Sequence, residues 1–302
     1  MNATMMKEIN RKAKAVNSLL NCRKAPFQVE LKDVYKQNRG EIPAFELKPL
    51  LTNNQISPIV YWEPKIDMMS DLDFADYLLD IFIQNTQIIC SGELPDISAT
   101  GILDNVLPRV ISDENIDELE THGIPYTRLK GFTDLVATYY VPVDSMHGLI
   151  SITDTIVKNA YLTKADLHSA SVNNINNQVV IKTMLQALLG LDEDVPFIEP
   201  SDSMPLWVVT TPSATFGAGA IAGGQQMFRT IANTIGATDF FVLPSSIHEV
   251  LVLPDTGDNI ANFQNLLEMV TEINASVVSP EDRLTDNVYH YYGKTEHVVH
   301  CK

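Results

Sequence analysis

Residues 239–259, DFFVLPSSIHEVLVLPDTGDN, hold two short apolar runs on either side of a polar turn, and this stretch decides the fold. The runs Phe240–Leu243 and Val250–Leu253 have the aromatic and β-branched composition of strands, while proline and serine at 244–246 are typical turn residues. The gap between the runs is too short for a parallel crossover, so the pattern predicts an antiparallel hairpin.

An amphipathic helix is predicted after this hairpin. From Asn259 to about Asn274, apolar residues recur at helical spacing along one side, and Asp258 is the predicted N-cap. Val288–Tyr292 then supplies a last strand.

The region before the hairpin follows the same pattern. Strands are predicted at Leu206–Thr211 and Thr215–Ala222, followed by a helix that ends at Gly236. The resulting order β-β-α-β-β-α-β predicts an α+β fold of mostly antiparallel sheets with helices packed on one face. A doubly wound parallel sheet is the less favoured alternative.

The first two thirds of the chain mix helices and strands. Helices are predicted at residues 5–20, 71–84 and 179–189, and the clearest strand is Leu135–Val143. Residues 191–205 are acidic and contain three prolines, as linkers often do. We therefore expect an N-terminal α+β region (1–190), a linker (191–205) and a C-terminal α+β region (206–302).

Charge disfavours nucleic acid as a partner. The 302 residues include 21 Lys and Arg against 38 Asp and Glu, a net charge of −17 that would repel a phosphate backbone. A protein partner is expected instead. An acidic surface could also mimic nucleic acid, but that function needs the acids on one face, and they are spread through the sequence. The oligomeric state is left open.

The chain is expected to be a soluble cytoplasmic protein. No run of 18 apolar residues could span a bilayer, and the N-terminus lacks the apolar segment of a secretory signal. The three cysteines, Cys22, Cys90 and Cys301, are far apart and odd in number, which indicates reduced thiols.

Several segments are similar to one bacterial family. They are Leu243–Val250, Leu253–Asp258, Asn274–Ala275 and Pro280–Tyr289, together with Ile56–Pro58, Val60–Tyr61, Glu63, Phe132, Asp134–Leu135 and Tyr139–Tyr140. Through them the chain resembles the family known as domain of unknown function 5688, from about residue 50 to 292. The resemblance implies a cytoplasmic protein of gut and rumen Firmicutes or of their mobile elements. It implies no activity and no catalytic residue.

Ser245, Ser246, His248 and Asp255 form the sharpest catalytic pattern. A hydrolase activates a hydroxyl through an imidazole that a carboxylate orients, and all three groups occur within eleven residues. However, a nucleophile elbow has the form Gly-x-Ser-x-Gly on a turn from strand to helix, whereas these serines join two strands. Serines that satisfy turn backbone groups explain the same residues, and this explanation is favoured.

Two further patterns suggest ligand sites. Gly217–Ala222 fits a loose dinucleotide pattern, but Thr211–Phe216 separate it from the preceding strand, and small residues packed under a helix explain it equally. His297, His300 and Cys301, with His290 nearby, are metal-ligand types at a chain end that is expected to fray. Neither pattern leads to a predicted metal or cofactor.

The sequence therefore predicts a non-enzymatic protein-interaction or regulatory protein. The alternative is a small-molecule-binding protein or hydrolase centred on Ser245, Ser246 and His248. One observation separates the two hypotheses: whether either serine hydroxyl lies within hydrogen-bond reach of His248 at the bottom of a concave pocket.

Overall fold

The computed structural model describes residues 3–36, 38–50, 57–91, 96–143, 148–191, 206–257 and 263–301. Within these ranges the chain forms two compact units, one running from residue 3 to 91 and the other from 96 to 301. The predicted α+β class with antiparallel sheets is confirmed. No helix in these ranges is long and apolar enough to cross a membrane.

The first unit combines a three-stranded antiparallel sheet with two long helices. Its elements in chain order are α1 (Ala3–Cys22), β1 (Phe27–Lys36), β2 (Gly40–Pro49), β3 (Ile59–Tyr61), α2 (Pro64–Met68) and α3 (Asp71–Ser91). One side of each long helix packs with the sheet in a core that includes Phe27, Phe45 and Phe74. The helices predicted at 5–20 and 71–84 are confirmed.

Lys12 is buried within this unit. It is 2% exposed, and its Nζ donates to the backbone carbonyls of Met69 at 2.6 Å and Asp67 at 3.4 Å. These carbonyls lie at the end of α2, where helical C=O groups lack partners within the helix. The charge of Lys12 thus satisfies acceptors that the short helix leaves unpaired.

The second unit begins with a small antiparallel sheet built around one long buried strand. Its elements in chain order are α4 (Ala99–Asn105), β4 (Leu107–Ser112), α5 (Ile116–Thr121), β5 (Thr127–Arg128), β6 (Leu135–Val143), β7 (Gly148–Ser151), α6 (Asp154–Asn159) and α7 (Lys164–Asn176). Strands β4, β5 and β7 all pair with β6. The strand predicted at 135–143 is confirmed.

A six-stranded antiparallel sheet makes up the rest of the second unit. Its elements in chain order are β8 (Val180–Thr183), α8 (Met184–Leu188), β9 (Trp207–Thr210), a 3-10 helix (Gly217–Gly223), α9 (Gly224–Ile235), β10 (Phe240–Leu243), β11 (Val250–Pro254), α10 (Phe263–Ser276), β12 (Tyr289–Tyr292) and β13 (His297–His300). The strand order is β13-β12-β10-β11-β9-β8. Strands β10 and β11 form the predicted hairpin, with Leu243 opposite Leu251.

Both faces of the central strands β10 and β11 are buried, and helices pack on both faces of the sheet. Phe240 and Val242 point towards α9 and the 3-10 helix, whereas Phe241 and Leu243 point towards α10. Helices on one face only were predicted, and this detail is wrong. The reason is visible in β10, where every position is apolar and each side needs cover.

Two predicted elements take a different form. The helix predicted at 179–189 is strand β8 followed by α8, because a capping box between Thr183 and Gln186 starts the helix only at Met184. The strand predicted at Thr215–Ala222 is largely the 3-10 helix. It packs so closely that a Cβ on Gly219 would lie 2.5 Å from the Pro108 carbonyl oxygen.

The C-terminal prediction was incomplete in one respect. Val288–Tyr292 was expected to be the last strand, but β13 follows β12 and pairs with it. The predicted N-cap Asp258 and the predicted helix start at Asn259 lie outside the described residues, and α10 is described from Phe263.

The expected linker at 191–205 falls between β8 and β9 in the chain. Strands β8 and β9 stand on either side of that segment and pair with each other, so both belong to the second unit. The division between the units falls between residues 91 and 96. Residues 192–205 lie outside the described part of the chain.

Asp134 connects the two sheets of the second unit. Its carboxylate accepts hydrogen bonds from the Thr285 hydroxyl at 2.5 Å, from Asn287 Nδ2 at 2.7 Å and from the Tyr289 hydroxyl. These donors lie at the start of β12 or just before it, while Asp134 precedes β6. One carboxylate therefore joins segments more than 150 positions apart in the chain.

Candidate functional site

Residues 244–249, here called the hairpin loop, connect β10 to β11 and are held by backbone hydrogen bonds. The Ser245 carbonyl accepts from the Leu284 N–H at 3.0 Å, and the Ile247 N–H donates to the Asp282 carbonyl at 2.8 Å. The His248 carbonyl accepts from the Gly217 N–H at 2.9 Å. The loop is therefore fixed by the segments before β12 and after β9.

The serines of the loop are buried and serve the turn. The Ser246 hydroxyl accepts a hydrogen bond from the backbone N–H of His248 at 3.1 Å, which is a serine turn of the kind the sequence favours. Both Ser245 and Ser246 are 4% exposed.

The imidazole of His248 points away from these serines. Its Nδ1 accepts from the Phe216 N–H at 3.4 Å, its Nε2 lies 3.4 Å from Asp282 Oδ1, and its ring stacks on Phe216. Across the described residues, no hydrogen bond joins this ring to Ser245 or Ser246. A hydroxyl activated by His248 therefore does not form in this geometry.

Asp255 lies at the other end of β11. Five strand residues separate it from the loop, a span of about 17 Å at 3.3 Å per residue. Its carboxylate is 2.9 Å from His290 Nε2, and both side chains are buried. Asp255 thus pairs with a histidine other than His248.

The candidate metal ligands are not brought together. His297 and His300 are three residues apart on β13, so their side chains lie on opposite faces. The ring of His300 packs beside Tyr289, whereas Cys301 packs on the α10 side, where burial raises the pKa of its thiol to about 11. Within the described ranges, no group of three or more His, Cys, Asp or Glu could hold a metal ion.

The glycine-rich segment serves packing. A Cβ on Gly217 would lie 2.3 Å from the His248 carbonyl oxygen, so glycine permits the close approach of this segment to the hairpin loop. The N–H groups of Gly217 and Ala218 donate to the carbonyls of His248 and Ile247. These two N–H groups are therefore already bonded within the protein and are not directed at a phosphate.

A cavity of about 740 Å³ lies on the α10 side of the six-stranded sheet, next to the hairpin loop. We call it the sheet pocket. Its apolar lining residues are Val180, Met184, Ala187, Leu188, Val208, Pro212, Ala214, Leu251, Ile273, Val277 and Val278. Its polar lining residues are Lys182, Thr210, Thr211, Ser245 and Glu249. The volume and the mostly apolar lining are those of a small-molecule site.

Strand register places the charged groups of the sheet pocket at different positions. Glu249 precedes β11 and continues the register opposite Thr210, which pairs with Val180 on β8. Lys182 is two residues further along β8, so its Cα lies about 12 Å from that of Glu249 by strand geometry. One end of the pocket is therefore acidic, and the other carries a lysine on the edge strand.

Glu249 has an unusual electrostatic environment for a carboxylate. Burial raises the pKa of its carboxyl, and Asp282 acts in the same direction, while His248 and the Ser246 hydroxyl oppose them. Among the residues that the structure describes, no Lys or Arg forms an ion pair with Glu249. In the described part of the chain, the acidic end of the sheet pocket therefore has His248 as a neighbour but no lysine or arginine partner.

The sequence predictions reached this site only in part. The hairpin loop was identified, and Ser245 does line the pocket. Glu249 and Lys182 were missed, the latter because β8 was taken for helix. The capping pattern Thr183-x-x-Gln186 could have placed Lys182 before the helix start.

The comparisons with known proteins give one match. The model of a family described as "Family of unknown function (DUF5688)" matches residues 5–292. The match extends further towards the N-terminus than the resemblance, which begins at about residue 50. No curated protein and no solved structure matches significantly.

Proposed function

We propose that this chain, which belongs to the DUF5688 family of unknown function, is a non-enzymatic binding protein that holds a small, mainly apolar molecule in the sheet pocket. The observation that carries the proposal is the pocket itself, about 740 Å³ in volume and lined mainly by aliphatic side chains. Pockets of roughly 300–1,000 Å³ with a few placed polar groups are typical of small-molecule sites.

A binding role is favoured over hydrolysis because of how the hairpin loop is built. Ser246 bonds to a backbone N–H, and the His248 ring is directed to Phe216 and Asp282. Hydrolysis at this loop would need the imidazole to turn towards a buried hydroxyl. Storage or sensing of a molecule needs no such change. We place this function in the cytoplasm, as the resemblance to the DUF5688 family implies.

The test uses the neutral fluorescent probe N-phenyl-1-naphthylamine. We expect saturable binding with one probe per chain, and loss of that binding in Ala187→Phe, because the larger ring occupies part of the sheet pocket. Ala165→Phe is the control, since Ala165 is exposed on α7. Circular dichroism and the melting temperature show whether each variant is folded.

Two results contradict the proposal. One is the absence of saturable binding to the wild type. The other is unchanged probe binding in a folded Ala187→Phe variant, which would place the probe elsewhere on the protein.

Protein binding is the second candidate function, and exposed apolar residues favour it. Leu188 and Leu189 at the end of α8 are 74% and 57% exposed, and Val277 beyond α10 is 77% exposed. Exposed apolar groups of this kind mark interaction surfaces when they cluster. If this candidate is correct, Leu189→Ser, at an exposed position outside the pocket lining, abolishes co-purification of a specific partner and leaves probe binding intact.

A further inference from the structure

We infer that the ligand of the sheet pocket carries a cationic ammonium group, held at Glu249, on an apolar body that lies along the sheet. The inference rests on the proposed function, because it concerns the same pocket. It names the chemical class of the ligand, which the pocket volume alone does not.

The acidic end of the pocket is the first part of the argument. Glu249 lines the cavity and is partly buried, and among the described residues it has no ion pair with Lys or Arg. A carboxylate withdrawn from water is stabilised strongly by a cation that also donates hydrogen bonds. An ammonium group supplies both the charge and the donors.

The Ser246 hydroxyl already bonds to the Glu249 carboxylate, whereas the two threonine hydroxyls of the lining donate elsewhere. The Thr210 hydroxyl donates to the His248 carbonyl at 2.8 Å, and the Thr211 hydroxyl donates to the Thr215 carbonyl at 2.8 Å. Their protons are therefore committed within the protein. Glu249 is the carboxylate of the pocket lining, and it keeps acceptor positions beyond the bond from Ser246 for a donor on the ligand.

The other lining residues of the pocket indicate that the body of the ligand is apolar. Val208 and Leu251 form the sheet side of the pocket, and Ile273 and Val277 come from the α10 side. Burial of aliphatic groups against these residues contributes roughly 25 cal/mol per Å². Lys182 lies towards the edge strand, and its charge would repel a second cation there, so one ammonium group at the Glu249 end is favoured.

The experiment measures displacement of N-phenyl-1-naphthylamine by three ligands with the same chain: octylammonium, 1-octanol and octanoate. Near neutral pH the amine is protonated, since alkylammonium groups have a pKa of about 10. We expect octylammonium to displace the probe at a concentration at least about tenfold below that of 1-octanol, with octanoate the weakest.

Glu249→Gln is expected to remove this preference. In the variant, octylammonium and 1-octanol should displace the probe within about threefold of each other, while the affinity for 1-octanol stays near that of the wild type. Glu268→Gln is the matched control. It makes the same change of charge at an exposed position of α10 outside the pocket lining, and it should keep the ammonium preference.

The possible outcomes separate this inference from the proposed function. Probe binding with no preference for octylammonium, or a preference that survives Glu249→Gln, overturns the inference and leaves the pocket as a neutral apolar site. Loss of the preference in Glu268→Gln as well would assign it to the overall charge of −17 and also overturn it. Failure of the probe to bind at all overturns both.

Discussion

Tyr161 occupies a backbone conformation that disfavours its own side chain. It follows α6 with φ +57° and is 95% exposed. The Tyr161 N–H donates to the Lys158 carbonyl and the Leu162 N–H to the Val157 carbonyl, which is the Schellman pattern that ends helices and in which glycine is the usual residue. The left-handed conformation costs an ordinary residue roughly 1–2 kcal/mol.

We therefore expect Tyr161→Gly to raise the free energy of unfolding by up to about 1 kcal/mol, because relief of strain is partly offset by the greater freedom of glycine in the unfolded chain. Tyr161→Ala keeps the strain and removes only the exposed ring, so its effect should stay within about 0.5 kcal/mol. Urea unfolding measures the free energy of unfolding of both variants. A clear loss of stability in the glycine variant would show that the ring makes a stabilising contact.

Glu249 should make stability depend on pH. Because burial raises the pKa of its carboxyl above the ordinary value of 4.5, ionisation is more costly in the folded protein than in the unfolded chain. The free energy of unfolding therefore falls as pH rises from about 4.5 through the raised pKa. The Glu249→Gln variant has no carboxyl group at this position, so its free energy of unfolding does not fall for this reason.

The measurement is the difference in unfolding free energy between Glu249→Gln and the wild type. We expect it to be near zero at about pH 4 and to favour the variant at about pH 7.5. Glu268→Gln, which makes the same change of charge at an exposed position, is measured beside it as the control. A difference that does not change with pH for Glu249→Gln would mean that the Glu249 carboxylate is well solvated. His248 and Asp282 face the same group and are kept unchanged.

At the scale of elements, the Asp134 cluster should be the strongest single polar connection between the two sheets of the second unit. Asp134→Ala would leave three donors without their acceptor, so we expect it to lower the free energy of unfolding by about 2–4 kcal/mol. Asp113→Ala is the control, because its ion pair with the exposed Arg128 should contribute less than about 1 kcal/mol. Equal effects of the two substitutions would contradict the assignment.

The elements that sequence predicted correctly are those whose local signals and tertiary contacts agree. Strands β10 and β11 combine strand composition with a proline that cannot continue the ladder, and each side of the pair finds apolar cover. Residues 179–189 were predicted to form one helix because their apolar residues recur at helical spacing. In the structure Val180 and Ile181 pair with β9, so the first part of this segment is a strand.

The conformation of the glycine-rich segment could not be predicted from the local sequence. Its small residues were consistent with a tightly packed strand, but the conformation depends on what they pack against. Pro108 on β4 and His248 in the hairpin loop approach the backbone so closely that only glycine fits at 219 and 217. Neither neighbour is close in sequence, so no local pattern could identify the 3-10 helix.

For the chain as a whole, the sequence predicted the fold class and the family more accurately than it predicted the candidate functional site. The α+β class and the family both followed from patterns distributed along the chain. The sheet pocket depends on four segments that meet only after folding: β8 with α8, β9 with the residues after it, the hairpin loop with β11, and the end of α10. Ser245, Ser246 and His248 were predicted as candidates because serine and histidine are catalytic residue types. Glu249 became a candidate only because the structure shows its burial in the pocket.

Ion pairs at the surface contribute little to the stability of the chain. The ion pairs Arg11–Asp71 and Lys48–Glu30 are partly exposed, and such pairs contribute about 0–1 kcal/mol each. Stability must therefore come mainly from the apolar cores, and the acidic surface repels itself.

The Asp134 cluster also affects how the second unit folds during translation. Asp134 is translated 155 residues before Tyr289, an interval of roughly 8–30 s at about 5–20 residues per second. During that time the Asp134 carboxylate lacks the donors of Thr285, Asn287 and Tyr289. The nascent chain must therefore carry a half-finished second unit until β12 emerges, a period in which chaperones and proteases compete for it.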